Sequence, residues 1–208
     1  MKIIDFFASW GVFLYIRLGV MRWWSIVHAW IWERNKQEKL QRFGSLGSLV
    51  TYIRTLKWTA DTWRELWDSI SSIGHIQWRA DHEPKRFIGD CDEFGRYSAC
   101  VIRNELKDDP RWGGLGVDTT FLLTVMWKKI GGREWEGNQK GYGGHNVCLI
   151  RYIDGSWAYM DYGWPSERVS SVAEVVRQVR DRYAQEYEPL GYAWSDPETL
   201  KLVGISRE

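Results

Sequence analysis

Residues 147 to 161 constrain the fold more than any other part of this chain. Val147-Cys148-Leu149-Ile150-Arg151-Tyr152-Ile153 reads as a mostly buried strand, Asp154-Gly155-Ser156 as a turn, and Trp157-Ala158-Tyr159-Met160-Asp161 as the returning strand. Asp-Gly between two apolar runs predicts a tight antiparallel hairpin. Turn length then decides which side chains share a face, because a one-residue slip turns a whole strand over. A two-residue turn at Asp154-Gly155 puts His145 and Asp161 on opposite faces. A three-residue turn, Asp154-Gly155-Ser156 with a glycine bulge, puts them on one face, though not directly opposite.

Upstream, Phe94, Tyr97, Val101 and Ile102 recur at near-helical spacing and predict a helix from Cys91 to about Leu106. Asp90 suits its N-cap. Cys91 then sits where free backbone N–H groups and the positive end of the helix dipole favour a thiolate and could hold an oxyanion. Asp92 and Glu93 suit a helix N-terminus but oppose thiolate formation, so an imidazolium partner matters more. His145 follows a glycine-rich loop, Gly131-Gly132 through Gly143-Gly144, and leads into the first hairpin strand. In chain order the three supply a thiolate to attack, an imidazole to take and return a proton, and a carboxylate to hold its tautomer. The plainer alternatives are a buried structural cysteine, a satisfied strand-end histidine and a turn carboxylate.

Three cysteines and a histidine raise the question of a zinc site. Spacing argues against it. His145 and Cys148 lie an odd number of positions apart on one strand and face opposite ways. Cys91 and Cys100 are about two and a half helical turns apart and also diverge. There is no Cys-x-x-Cys pair. No metal is expected, and Cys100 and Cys148 read as small core residues.

Gly89-Asp90-Cys91-Asp92-Glu93-Phe94, His145-Asn146-Val147 and Gly155-Ser156-Trp157-Ala158-Tyr159-Met160-Asp161 together resemble the core motifs of the transglutaminase-like superfamily. The nearest likeness is to its bacterial and phage cysteine-proteinase branch, with its Gly-Asp-Cys-Asp-Asp-(Phe/Tyr)-Ala signature. The resemblance spans roughly residues 76 to 164. It implies a papain-like α+β fold, Cys91 as nucleophile, His145 as general base and acid, Asp161 as orienting carboxylate, a protein or peptide substrate, and no metal or organic cofactor. Trp78 resembles the upstream aromatic position that can help the oxyanion hole; a core tryptophan is the alternative. Two positions depart from the pattern. Gly95 stands where the family usually has alanine, and Tyr162 replaces the proline that often follows the aspartate.

The 208 residues suffice for one domain with an appendage, here divided as an arm over 1–43 and a thiol domain over 44–208. A formal charge of +1 with interleaved signs leaves no polybasic footprint, so nucleic acid is not an expected partner. Three cysteines without an even disulfide framework favour a reducing compartment, read as cytoplasmic. The resemblance adds a bacterial or phage setting, a virion included.

From Ile3 to Trp32 the chain is dominated by apolar and aromatic residues. A helix there leaves only a narrow polar stripe. Arg17 and Arg22 make it a poor membrane span, and Asp5 with no small-residue cleavage site makes it a poor signal peptide. It is expected to bury Trp23, Trp24, Trp30 and Trp32 against its own domain or another chain, giving a protein assembly or homo-oligomer. An interfacial membrane helix is the less favoured option. Glu33 to Lys39 then reads as a solvated helix end or linker. The fifteen tryptophans are mostly assigned to core packing, with some as interface anchors.

The remaining expectations are helices over Leu49–Leu56 and Thr62–Ile73, the latter with Trp63, Leu66, Trp67 and Ile70 as its stripe. An extended piece follows at His75–Ala80, then a strand over Thr119–Trp127. A Ser171-x-x-Glu174 capping box leads an amphipathic helix through Val175, Val176, Val179 and Tyr183. This is an α+β pattern, with helices followed by an antiparallel meander. Two functions fit it: a thiol hydrolase or acyltransferase working through a thioester, or a catalytically silent docking module attached by its arm.

Overall fold

The hairpin closes with a three-residue turn, one position earlier than expected. Arg151 pairs with Trp157 and Cys148 with Met160. The turn is therefore Ile153-Asp154-Gly155, with Gly155 at φ 84° and its N–H donating to the Tyr152 carbonyl at 3.0 Å. This register sets Asp161 across from Val147, one step along the strand from His145 and on the same face.

The computed structural model describes residues 20–58, 70–83, 87–108, 116–129, 142–183 and 187–207. Helices run over Val20–His28 (α1), Leu46–Ile53 (α2), Ile73–His82 (α3), Cys91–Asp108 (α4) and Val172–Tyr183 (α5). Short strands Lys57–Trp58 (β1) and Phe87–Gly89 (β2) pair in parallel. Strands Val117–Lys129 (β3), Tyr142–Tyr152 (β4), Trp157–Asp161 (β5), Trp164–Pro165 (β6), Tyr187–Ser195 (β7) and Leu202–Arg207 (β8) form an antiparallel sheet in the order β6-β5-β4-β3-β7-β8. The protein is thus α+β with an antiparallel sheet.

Alternation along the strands divides the core in two. Cys148, Ile150 and Met160 join residues of α2, α3 and α4 on one face. Val147, Leu149, Tyr159 and the odd-numbered residues Phe121 to Trp127 pack on the other against Val175, Val176 and Val179 of α5. Helices therefore cover both faces. The α5 cap differs slightly from a reciprocal box: the Glu174 N–H donates to Ser171 Oγ, while the Glu174 carboxylate accepts from Ser170.

Gly95 explains its own departure from alanine. A Cβ built there would lie 2.9 Å from Leu122 Cδ1 and 3.2 Å from the Val147 carbonyl carbon. Backbone meets backbone at this point, and only glycine lets α4 lie so close.

Residues 75–80, expected to be extended, belong to α3. Its inward face, Ile76, Gln77 and Ala80, includes a glutamine, which hides the apolar period. Gln77 is held by bonds from the Tyr97 hydroxyl and the Gln41 N–H. Ile73 opens this helix instead of closing an earlier one, and the stripe at Trp63, Leu66 and Trp67 lies outside the described residues. The tryptophans pack at edges more than in the core. Trp127 is buried, Trp157 and Trp194 are half-buried against the α5-side cluster, and Trp23, Trp30, Trp32, Trp58 and Trp164 are exposed. A large ring with one polar N–H fits such half-wet positions.

The described part of the arm does not bury Trp23, Trp30 and Trp32 against its own domain, the first of the two expected outcomes. Its polar residues Ser25, His28 and Glu33 face the domain, whereas Trp23, Trp30 and Trp32 are 63%, 68% and 47% exposed and Trp24 is half-buried. Ser25 Oγ accepts the Ile70 N–H at 3.0 Å, and Glu33 Oε2 accepts the Ser72 N–H at 2.9 Å. A π-helical turn over Ala29–Glu33 makes this possible. Five α-helical steps would carry Glu33 roughly 140° away from His28, while wider π winding leaves roughly 50°. Glu33 Oε1 thereby comes 3.4 Å from His28 Nδ1. Burial pushes the Glu33 carboxyl upward, but His28 and Ser72 outweigh it and hold it below the usual range. The first nineteen residues lie outside the described set.

The seat of α4 yields a stability prediction. Gly95→Ala gains about 1 kcal/mol in helix propensity but forces an overpacking strain of about 1–3 kcal/mol against a strand backbone. The expected result is a lower melting temperature by calorimetry. An unchanged or raised value would show that the helix is not held down at this point.

Candidate active site

The loop before α4 turns on Gly89, at φ 140°, where a Cβ would run into the Glu93 carboxyl. Asp90 is the N-cap: its Oδ1 accepts the Asp92 N–H at 2.9 Å, and the Phe94 N–H donates to its carbonyl at 3.2 Å. Glu93 closes the box by accepting the Asp90 N–H on Oε2 at 3.1 Å. Its Oε1 takes the Ser71 N–H at 3.0 Å. Cys91 is thereby fixed as the first helical residue, half-buried, with its thiol donating to Asp92 Oδ1 at 3.6 Å. That contact suits the protonated thiol and opposes the thiolate.

Cys100 and Cys148 are buried, as expected of core residues. Burial pushes the Cys100 thiol up to about 12 and that of Cys148 higher still. Neither is a nucleophile at neutral pH.

The second half of the site lies at the ends of β4 and β5. His145 Nε2 and Asp161 Oδ1 are 3.0 Å apart, both buried. That geometry assigns the Nε2–H tautomer and leaves Nδ1 as the base. Both residues lie on the α5 side of the sheet, where the Tyr183 ring centre sits 4.1 Å from that of His145. The Tyr183 hydroxyl donates to Asp161 Oδ2, and Arg182 Nη1 lies 3.4 Å from the same oxygen. Burial alone would raise the Asp161 carboxyl; His145, Tyr183 and Arg182 overcome it and hold the group low. Burial, together with its bond to that carboxylate, pushes the Tyr183 phenol upward.

Two links connect the halves. Asn146 Nδ2 donates to Asp92 Oδ1, the same oxygen that holds the Cys91 thiol. Tyr162 packs edge-on against Phe94 at 4.8 Å and lies 5.6 Å from the His145 ring, within electrostatic reach of both Cys91 and Asp161. Its backbone explains the missing proline. Asp161 pairs with Trp164, so Tyr162 and Gly163, at φ 47° and 78°, form a two-residue turn of the mirror-image type. Proline, locked near φ −65°, cannot stand there.

The structure thus brings His145 to Asp161, and turns the Cys91 thiol to Asp92. Trp78 joins neither pair: it stacks between His75 and His82, with Lys36 Nζ 4.7 Å from its ring centre. Asp90, Cys91 and Asp92 hold ligand atoms within 4.8 Å of one another, but the carboxylates are engaged as cap and as partner to Asn146.

No protein-family model matches the chain, and no curated protein matches it either. The resemblance rests on the motifs alone. Glu93 is legible in the sequence, since Asp90-x-x-Glu93 is a capping pattern. Tyr183 and Arg182 carry no local signal; only the packing of α5 brings them to Asp161.

Two outcomes follow. Asp92→Asn removes the carboxylate that holds the protonated thiol, so Cys91 is expected to alkylate faster near neutral pH; an unchanged or slower rate refutes that role. Tyr183→Phe keeps the ring but removes a donor that favours ionised Asp161. A depressed carboxyl stabilises the fold above its unfolded pKa and loses that contribution as pH falls through the folded value. With the folded value raised, acid unfolding of the Tyr183→Phe variant is expected to begin at higher pH; circular dichroism across an acid titration checks it.

Proposed function

We propose that the chain is a cysteine-dependent amide hydrolase or acyltransferase of transglutaminase-like, papain-like type. The observation that carries this reading is the His145–Asp161 pair at 3.0 Å, on a strand whose next residue, Asn146, bonds the first turn of the Cys91 helix.

In this reading the Cys91 thiol leaves Asp92 and turns from the α4 side of the sheet toward the α5-side face that carries His145, where its proton passes to His145 Nδ1. The thiolate attacks the amide carbonyl carbon, and backbone N–H groups of the α4 first turn receive the oxyanion. His145, held by Asp161, returns the proton to the departing amine, leaving a thioester on Cys91. Water resolves it by hydrolysis, or a second amine by transfer, losing a proton to His145 as the S–C bond breaks. Tyr162, which packs near His145, shields the pair from bulk water.

A second reading, a docking module, draws support from the outward Trp23, Trp30 and Trp32 and from a Cys91 thiol turned to a carboxylate. Among the described residues no helix is long and apolar enough to cross a membrane.

A thiol-reactive probe near neutral pH separates the two. Selective labelling is expected at Cys91, lost in Cys91→Ala and kept in Cys100→Ala. In an assay of amine release from peptides, Cys91→Ser is expected to lower turnover by roughly a thousandfold or more, on the order seen for lost nucleophiles, with the melting temperature little changed. Asp161→Asn should cost less. Undiminished turnover in Cys91→Ser, or labelling indifferent to residue 91, rules the mechanism out.

A further inference from the structure

Beside the His145–Asp161 pair opens a cavity of about 430 Å³ lined by Asp161, Tyr162, Trp164, Arg182 and Tyr183. That is room for one amino-acid-sized group, at the lower end of ordinary ligand sites. Three of its walls are aromatic, and Trp164 is 56% exposed.

The charges around it are unequal in what they offer a ligand. Asp161 is buried, with Oδ1 on His145 and Oδ2 on the Tyr183 hydroxyl, so its lone pairs are largely engaged. The Arg182 side chain is half exposed and makes a single 3.4 Å contact to that carboxylate. A guanidinium has five donors in a planar fork, so several remain for an incoming group. Arg54 adds a second cation at the rim: its guanidinium lies 3.6 Å from the Trp164 ring centre, with Nε donating to the Gly163 carbonyl. The opposing charges are Asp161 itself, already engaged by His145 and Tyr183, and Asp90, half-buried and occupied as the helix cap, whose influence reaches Tyr162.

We propose that this cavity is a substrate subsite for a carboxylate, received by Arg182 and packed between the rings of Trp164, Tyr162 and Tyr183. The proposal rests on the thiol-enzyme reading for its purpose, and names that enzyme's substrates as peptides bearing an acidic side chain or a free C-terminus next to the reacting amide. The geometry suits the chemistry: a planar fork meets a planar carboxylate in two parallel hydrogen bonds, while the aromatic rings offer flat faces for the rest of the ligand to pack on. A cation over one indole face also raises the local potential for an anion.

The test uses Cys91→Ala protein, in which binding is read without turnover, so failure of the thiol mechanism and failure of the subsite give different results. Binding is measured by calorimetry and by the Trp164 indole N–H resonance. The probes are N-acetyl-glutamate amide, its neutral isostere N-acetyl-glutamine amide, and N-acetyl-glycine for the C-terminal carboxylate. At least one carboxylate is expected to bind about tenfold or more tightly than the glutamine probe, and which one it is identifies the source. Arg182→Gln should abolish the preference. Trp164→Ala should weaken all probes alike, which separates lost packing from lost charge. Equal binding of the neutral probe, a preference that survives Arg182→Gln, or no binding of any probe overturns the proposal.

Discussion

The closeness of α4 to the strand beneath it governs the rest of the structure. At Gly95 the helix rests on the backbone of Val147 with the Leu122 side chain pressed alongside. That contact sets the height of Cys91 above the sheet and lets Asn146 reach Asp92. The next residue, Arg96, locks the seat from another side. Its buried guanidinium donates to the carbonyls of Ser71, Pro197 and Glu198, tying two separate segments to one helix. A charge so deep is tolerable because its donors are taken up by carbonyls and Glu93 lies close by. Close approach and this anchor act together. Without the first, the second could not reach; without the second, the helix could slide.

Electrostatics gives the two halves of the candidate site different resting states. Asp161 is surrounded by donors and stays ionised, so His145 has a firm partner on Nε2. The Cys91 thiol donates to the Asp92 carboxylate, so helix dipole and Asp92 pull its proton in opposite senses.

The parts readable in the sequence are those where periodicity and punctuation agree. The Asp154-Gly155 hairpin, the helix from Cys91 and the capped helix after Ser171 all combine an apolar period with a turn or cap residue, and all formed near their expected bounds. The α3 helix does not announce itself because its buried face contains Gln77, a polar side chain satisfied by partners far along the chain. The grip of Tyr183 on Asp161 is equally silent, since it depends on where α5 ends above β5. Tyr162 stands out in the sequence as an oddity without an explanation: a left-handed tyrosine is a property of the turn geometry, not of the residue. The orientation of the arm escapes a hydropathy reading, which equates apolar with buried. Here hydrogen-bond demand from the amides of Ile70 and Ser72 sets the inward face.

That inversion changes which substitutions the arm can absorb. In an ordinary surface helix, outward polar positions vary freely and inward apolar ones are held. Here Trp23 and Trp30 face outward, while Ser25, His28 and Glu33 are fixed by the amides and the charge they satisfy, and Trp32 packs its ring 4.8 Å from that of His28. Even the winding of the segment is constrained. Relaxing the π turn to α winding at its present length would turn the Glu33 carboxylate roughly 140° from His28 and toward water. Tryptophans kept on the free side would then owe their persistence to something other than this domain's stability.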